Sequence, residues 1–91
     1  MPIETDSYTV GTASAVKVVA ADNMEQNALI HNNSTGDAVI YIGGSDEVTT
    51  NDGTLITAEE RISVDLGAGD EVWAISDTAG INVRVFRVTQ D

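Results

Sequence analysis

Arg61-Ile62-Ser63-Val64-Asp65-Leu66, then Gly67-Ala68-Gly69-Asp70, then Glu71-Val72-Trp73-Ala74-Ile75 is the stretch that decides the fold class. Ile62, Val64 and Leu66 alternate with Ser63 and Asp65, so an extended chain sends the apolar set to one side and the polar set to the other. A helix would scatter the same residues around its circumference. Gly67 to Asp70 is turn chemistry, and the residues after it are β-rich again.

The same unit recurs in both directions. Runs of strand character are expected near Tyr8–Val10, Val16–Ala20, Ala28–Asn32, Ala38–Ile42, Val48–Thr50, Thr54–Thr57, Arg61–Leu66, Glu71–Ile75 and Ile81–Val88. Clusters of Asn, Asp, Ser and Gly at 32–37, 43–46, 51–53 and 76–80 separate them. Asn51-Asp52-Gly53 reads as the best short hairpin turn, because these residues tolerate positive φ. Val, Ile and Thr far outnumber Leu (Leu29, Leu55 and Leu66), which favours pleated surface over helix. Ala21 to Gln26 carries no apolar stripe and reads as a loop or a single turn. The expectation is all-β: a sandwich or barrel of about eight short antiparallel strands in one domain. That domain spans residues 15–91; residues 1–14 form an N-terminal arm, either mobile, interface-forming or an edge strand.

Two runs are apolar on both faces. Ala38, Ile40 and Ile42 oppose Val39 and Tyr41; Ile81, Val83 and Val85 oppose Phe86 and Val88, with Arg84 interrupting. Such runs are central strands or strands whose outer face meets another chain.

Charge narrows the partners. The 91 residues hold 15 acidic and 4 basic side chains, a net charge of −11. That balance argues against binding nucleic-acid phosphates or an anionic leaflet. No apolar run approaches the ~20 residues of a membrane helix, and no basic-then-apolar leader opens the chain. With no Cys, disulfides and thiolate chemistry are excluded, which fits a reducing cytoplasm. Surface scaling gives ~5,000 Å² exposed in a folded monomer, against ~14,000 Å² extended. That margin is thin, and self-association would widen it.

Reactive constellations are hard to assemble. His31 is the lone imidazole, so neither a zinc site nor a Cys/His dyad forms within one chain; it reads as an ordinary strand side chain. Asp46/Glu47, Glu59/Glu60 and Asp70/Glu71 are adjacent pairs, which on strands point apart instead of facing across a cleft. The Asp/Asn/Gly turns offer oxygens that suit calcium, but lack the alternating ligands and distal Glu of a calcium loop. Gly43-Gly44-Ser45 and Gly67-Ala68-Gly69 match no phosphate-binding fingerprint. No cofactor and no metal is expected. The aromatic residues Tyr8, Tyr41, Trp73 and Phe86 lie in β-runs, where packing in the core or between subunits is the default.

The segments 28–34 with 38–45, then 54–60, then Leu66-Gly67-Ala68-Gly69-Asp70-Glu71-Val72-Trp73-Ala74-Ile75, then the closing Ile81–Val88, resemble small structural proteins of tailed bacteriophages of the head-decoration (cement) type. The likeness leaves the first nineteen residues unmatched. It implies a β-sandwich or jelly roll, assembled as a homotrimer on the outer capsid surface and bound to the major capsid protein. The chain would be made in the bacterial cytoplasm, carry no catalytic residue, and hold capsid subunits together by adhesion. Related tail or fibre-adaptor modules, or a receptor- or carbohydrate-binding sandwich, are the alternative; Tyr41 and Trp73 exposed together on one concave surface would favour it. Tyr8, Tyr41, Trp73, Arg84, Phe86 and Arg87 are the candidate interface residues. Arg84 and Arg87 face opposite ways on one strand. One is expected to pair within the trimer, the other to meet an acidic neighbour or capsid carboxylate.

Overall fold

The computed structural model describes residues 3–89. Within them the strands are β1 (Ile3–Val10), β2 (Val16–Val19), β3 (Gln26–Asn32), β4 (Ile40–Gly43), β5 (Thr54–Ile56), β6 (Arg61–Leu66), β7 (Val72–Ser76) and β8 (Ile81–Thr89). Their pairing is nested and antiparallel throughout: β4 with β5, β3 with β6, β2 with β7, β1 with β8. The chain is therefore one long hairpin, rolled up so that β8 also pairs with β3 and β7 with β4. The result is two four-stranded sheets, sheet A in the order β1-β8-β3-β6 and sheet B in the order β2-β7-β4-β5. Of the sandwich and the barrel that the spacing allows, the structure is the sandwich, with jelly-roll strand order.

Parity decides what is buried. In sheet A, Val10, Ala28, Ile30, Leu66, Ile81, Val83 and Val85 point inward; in sheet B, Val18, Val19, Ile40, Ile42, Ile56, Val72 and Ala74 do. The strands contribute alternate residues except in β2, where an irregularity in register lets the adjacent Val18 and Val19 both turn inward, and the two inner faces close one core between them. Three polar side chains are buried within it, each with a partner. Asn32 Nδ2 donates to the carbonyls of Ile56 (2.9 Å) and Ala38 (3.3 Å), tying the β5 end to the β3–β4 connection. Ser76 Oγ donates to the Val39 carbonyl at 2.8 Å, and Gln26 Nε2 to the Ala20 carbonyl at 2.7 Å. Among the described residues no buried side-chain polar atom is left unpaired, as a stable interior requires.

Three expectations change. Of the readings of the arm the edge strand is the one found: Ile3 to Val10 is β1, at the edge of sheet A and paired with β8 over all eight residues, so what changes is the boundary, the sandwich beginning well before residue 15. Val48–Thr50 is not a strand. The Thr49 hydroxyl accepts the Asn51 N–H, and Asp52 Oδ1 accepts the Thr49 N–H at 2.8 Å; this local turn takes the groups a ladder would need. Gly53 has no positive φ; it is glycine for lack of room, since a Cβ there would sit 2.6 Å from Tyr41 Cβ. Glu59 instead is, among the described residues, the non-glycine residue in the left-handed region, at φ 67°.

Candidate protein-binding site

The outer face of sheet A collects the cations. Register sets Ser7, Arg84, His31 and Arg61 in one row across β1, β8, β3 and β6. The next row is Thr5, Phe86, Leu29 and Ser63. Directly opposed side chains on neighbouring strands stand about 5 Å apart at Cβ, so the three basic groups form a contiguous stripe beside an apolar one. Thr5, Leu29, His31, Arg61, Arg84 and Phe86 line an open cavity of about 160 Å³ there. Phe86 is 45% exposed, unusual for a phenylalanine on a central strand.

The other two cations are already engaged. Lys17 Nζ lies 3.6 Å from Glu71 Oε2, and 5.4 Å from the centre of the Trp73 ring. Arg87 lies on the inner side of β8, where it pairs with Glu4 and, at 3.7 Å, with Asp6 of β1. Of the two arginines expected to reach other subunits, Arg87 thus finds its carboxylates within its own chain, because the β1–β8 register sets Glu4 opposite it. For Arg61 and Arg84, no carboxylate among the described residues lies within ion-pair distance. His31 stands between the two arginines, so neither guanidinium is opposed by a charged side chain across the ladder.

The aromatic candidates separate. Tyr8 shares its side of β1 with Val10 and packs against the core, not at the surface. Burial, followed by the Asp6 carboxylate, raises its phenol above the usual value. Tyr41 and Trp73 share the outer face of sheet B, two residues offset on adjacent strands. Both are half-buried. The Trp73 indole N–H donates to Glu71 Oε1 at 2.8 Å, and Lys17 covers its ring. The connection 44–53 lies across this face: Val48 packs on Gly43, and Gly53 on Tyr41. A flat ring platform needs free faces; here Lys17 stands over the Trp73 ring and both aromatic side chains are half-buried.

A reactive centre does not assemble around His31. Its cross-strand neighbours are Arg61 and Arg84, where a general base would need an orienting carboxylate. Among the described residues no group of three or more His, Asp or Glu side chains could hold a metal ion. Asp52 is occupied by Thr49, whose N–H and hydroxyl hold its carboxyl below the usual range.

Sequence reasoning picked out Arg84 and Phe86 on this surface and missed Leu29, His31 and Arg61. The signal for those three is register, which brings β6 and β8 to either side of β3.

Neither a protein family nor a curated protein matches the sequence. A solved structure of Bacillus endospore appendages, described as a novel family of disulfide-linked pili, shares the fold. Its TM-score is 0.61, over 99% of this chain and 87% of that chain, at 13% sequence identity. At that identity the likeness speaks to the β-sandwich architecture alone.

Proposed function

We propose that this chain is a structural adhesion protein of the phage head-decoration type, acting as a homotrimer on the outer capsid surface and performing no turnover. One observation carries the reading: a chain of net charge −11 gathers Arg61, His31 and Arg84 beside exposed Phe86 and half-buried Leu29 on a single face. A cationic stripe flanked by apolar side chains fits an acidic protein surface, giving burial for affinity and charge for register. The overall acidity keeps such a protein off packaged DNA. As a cement it would work by mass action: binding only the assembled lattice stabilises each site by ~2.7 kcal/mol at a hundredfold excess over Kd. The endospore appendage shows that this sandwich architecture occurs in a pilus; those pili are disulfide-linked, whereas this chain has no Cys and would join its neighbours without covalent bonds.

The tail-adaptor or glycan-binding alternative draws less support, because Trp73 and Tyr41, though on one face, are covered by Lys17 and by the connection 44–53. Co-sedimentation tests the proposal. The chain is expected to pellet with expanded capsids of its phage and not with immature ones, and Arg61→Glu/Arg84→Glu is expected to stay in the supernatant. Wild-type protein that ignores both capsid forms overturns it.

A further inference from the structure

We infer that the partner of the cationic face is a second copy of this chain, docked head-to-tail: the outer face of sheet A of one copy on the outer face of sheet B of the next. The inference rests on the adhesion reading above and assigns the cationic face to the contact between copies, so that the capsid is met by the assembly the copies form and the double variant loses capsid binding by losing that assembly. Three features of the molecule point to it.

The first is charge. Sheet B's outer face is overlaid by the connection 44–53, which carries Asp46, Glu47 and Asp52, with Glu71 close by at Trp73. Asp46 and Glu47 are exposed, and among the described residues their carboxylates make no ion pair. The outer face of sheet A thus carries Arg61 and Arg84, with Asp65 bonded to Asn27 across the ladder, and the outer side of sheet B carries Asp46, Glu47 and Asp52, with its one lysine, Lys17, already paired to Glu71. The second is exposed apolar surface. Met24, Leu55 and Phe86 are the exposed large hydrophobic side chains among the described residues. Met24 is in a loop; Phe86 belongs to the outer face of sheet A and Leu55, 50% exposed, to that of sheet B. Each face therefore offers one apolar side chain to the other. The third is size. A body of 37 × 24 × 16 Å has broad faces close to the ~800 Å² per partner that a specific interface buries.

Two different surfaces meeting make a heterologous contact, which repeats from copy to copy; with the faces on opposite sides of the sandwich it closes into a ring only where neighbours are tilted to one another, and otherwise runs on as an open stack. Three copies carry 3 × −11 = −33, so long-range repulsion opposes assembly and the local match must outweigh it. A face-to-itself dimer would instead set arginine against arginine.

Complementation between variants tests the contact. Arg61→Glu/Arg84→Glu spoils the basic face; Asp46→Lys/Glu47→Lys spoils the acidic one, using side chains that make no described hydrogen bond. Sedimentation velocity of the full chain is expected to show assembly. Each variant alone should sediment as a monomer with its melting temperature kept, its association weakened about 100-fold or more. Mixed, the two should associate, because each retains the face the other lost. A wild-type chain that stays monomeric, or variants that fail to associate on mixing, overturns the inference. Capsid binding without self-association sinks this contact and leaves the adhesion reading standing; self-association with no capsid binding does the reverse.

Discussion

Sheets A and B turn the same kind of residue outward and treat it differently. On sheet B, Tyr41, Gly43 and Trp73 are roofed by residues 44–53 and by Lys17, and Val48 and Ile75 are buried there apart from the main core. On sheet A, Phe86, Leu29 and Arg84 face an open cavity with no segment across them. Under that roof the outward apolar residues of sheet B thus belong to the fold, leaving Leu55 at its edge exposed, whereas Phe86 on sheet A lies open in the middle of its sheet. The comparison separates what stabilises the monomer from what is available to a partner.

Substitution at Gly53 should have the largest effect. A Cβ would stand 2.6 Å from Tyr41 Cβ and 2.9 Å from Val48 Cγ2, so Gly53→Ala forces the roof off sheet B. The expected loss is about 2–3 kcal/mol, a fall of roughly 10 °C or more in thermal melting. Val48→Ala, which thins the same roof, should cost about 1–2 kcal/mol by chemical denaturation. Arg87→Met removes the inward cation whose side chain is 19% exposed and leaves Glu4 and Asp6 unpaired. About 1 kcal/mol is expected, with amide exchange in β1 quickened more than in β6. Phe86→Ser, on the open face, should change stability by no more than about 0.5 kcal/mol while impairing association. Were it to cost as much as Val48→Ala, the distinction between the faces would collapse.

A smaller effect concerns pH. The Tyr8 phenol is raised by burial first and by Asp6 second, so the fold favours its neutral form. That contribution is fully present below the ordinary phenol value of about 10 and is lost as pH rises through the folded value. Absorbance titration should find the Tyr8 phenolate forming late, and Tyr8→Phe should remove the late step.

Much of the architecture follows from parity alone. Ile62/Val64/Leu66 and Ile81/Val83/Val85 declare their inward faces in the sequence, since side chains alternate whatever the topology. Parity also put Arg84 and Arg87 on opposite sides. What alternation lacks is register. That His31 lies between Arg61 and Arg84 depends on β3 pairing with both β6 and β8, which is set by the nested roll of the whole chain. The β1 strand was weakly marked for a related reason: Glu4 and Asp6 sit inward because Arg87 meets them there, a long-range match no local window contains. Val48-Thr49-Thr50 misled through β-propensity, although the local cue was present in Thr49-Thr50-Asn51-Asp52, where hydroxyl and carboxylate close a turn on their own backbone.

The sedimentation coefficient of Arg61→Glu/Arg84→Glu beside that of the unaltered chain, with melting read on the same samples, probes the central claim most directly. If the basic face of sheet A exists for binding, the two proteins melt together and only the unaltered one sediments as an assembly. Equal sedimentation of both, or a variant that loses its fold along with its assembly, would contradict it.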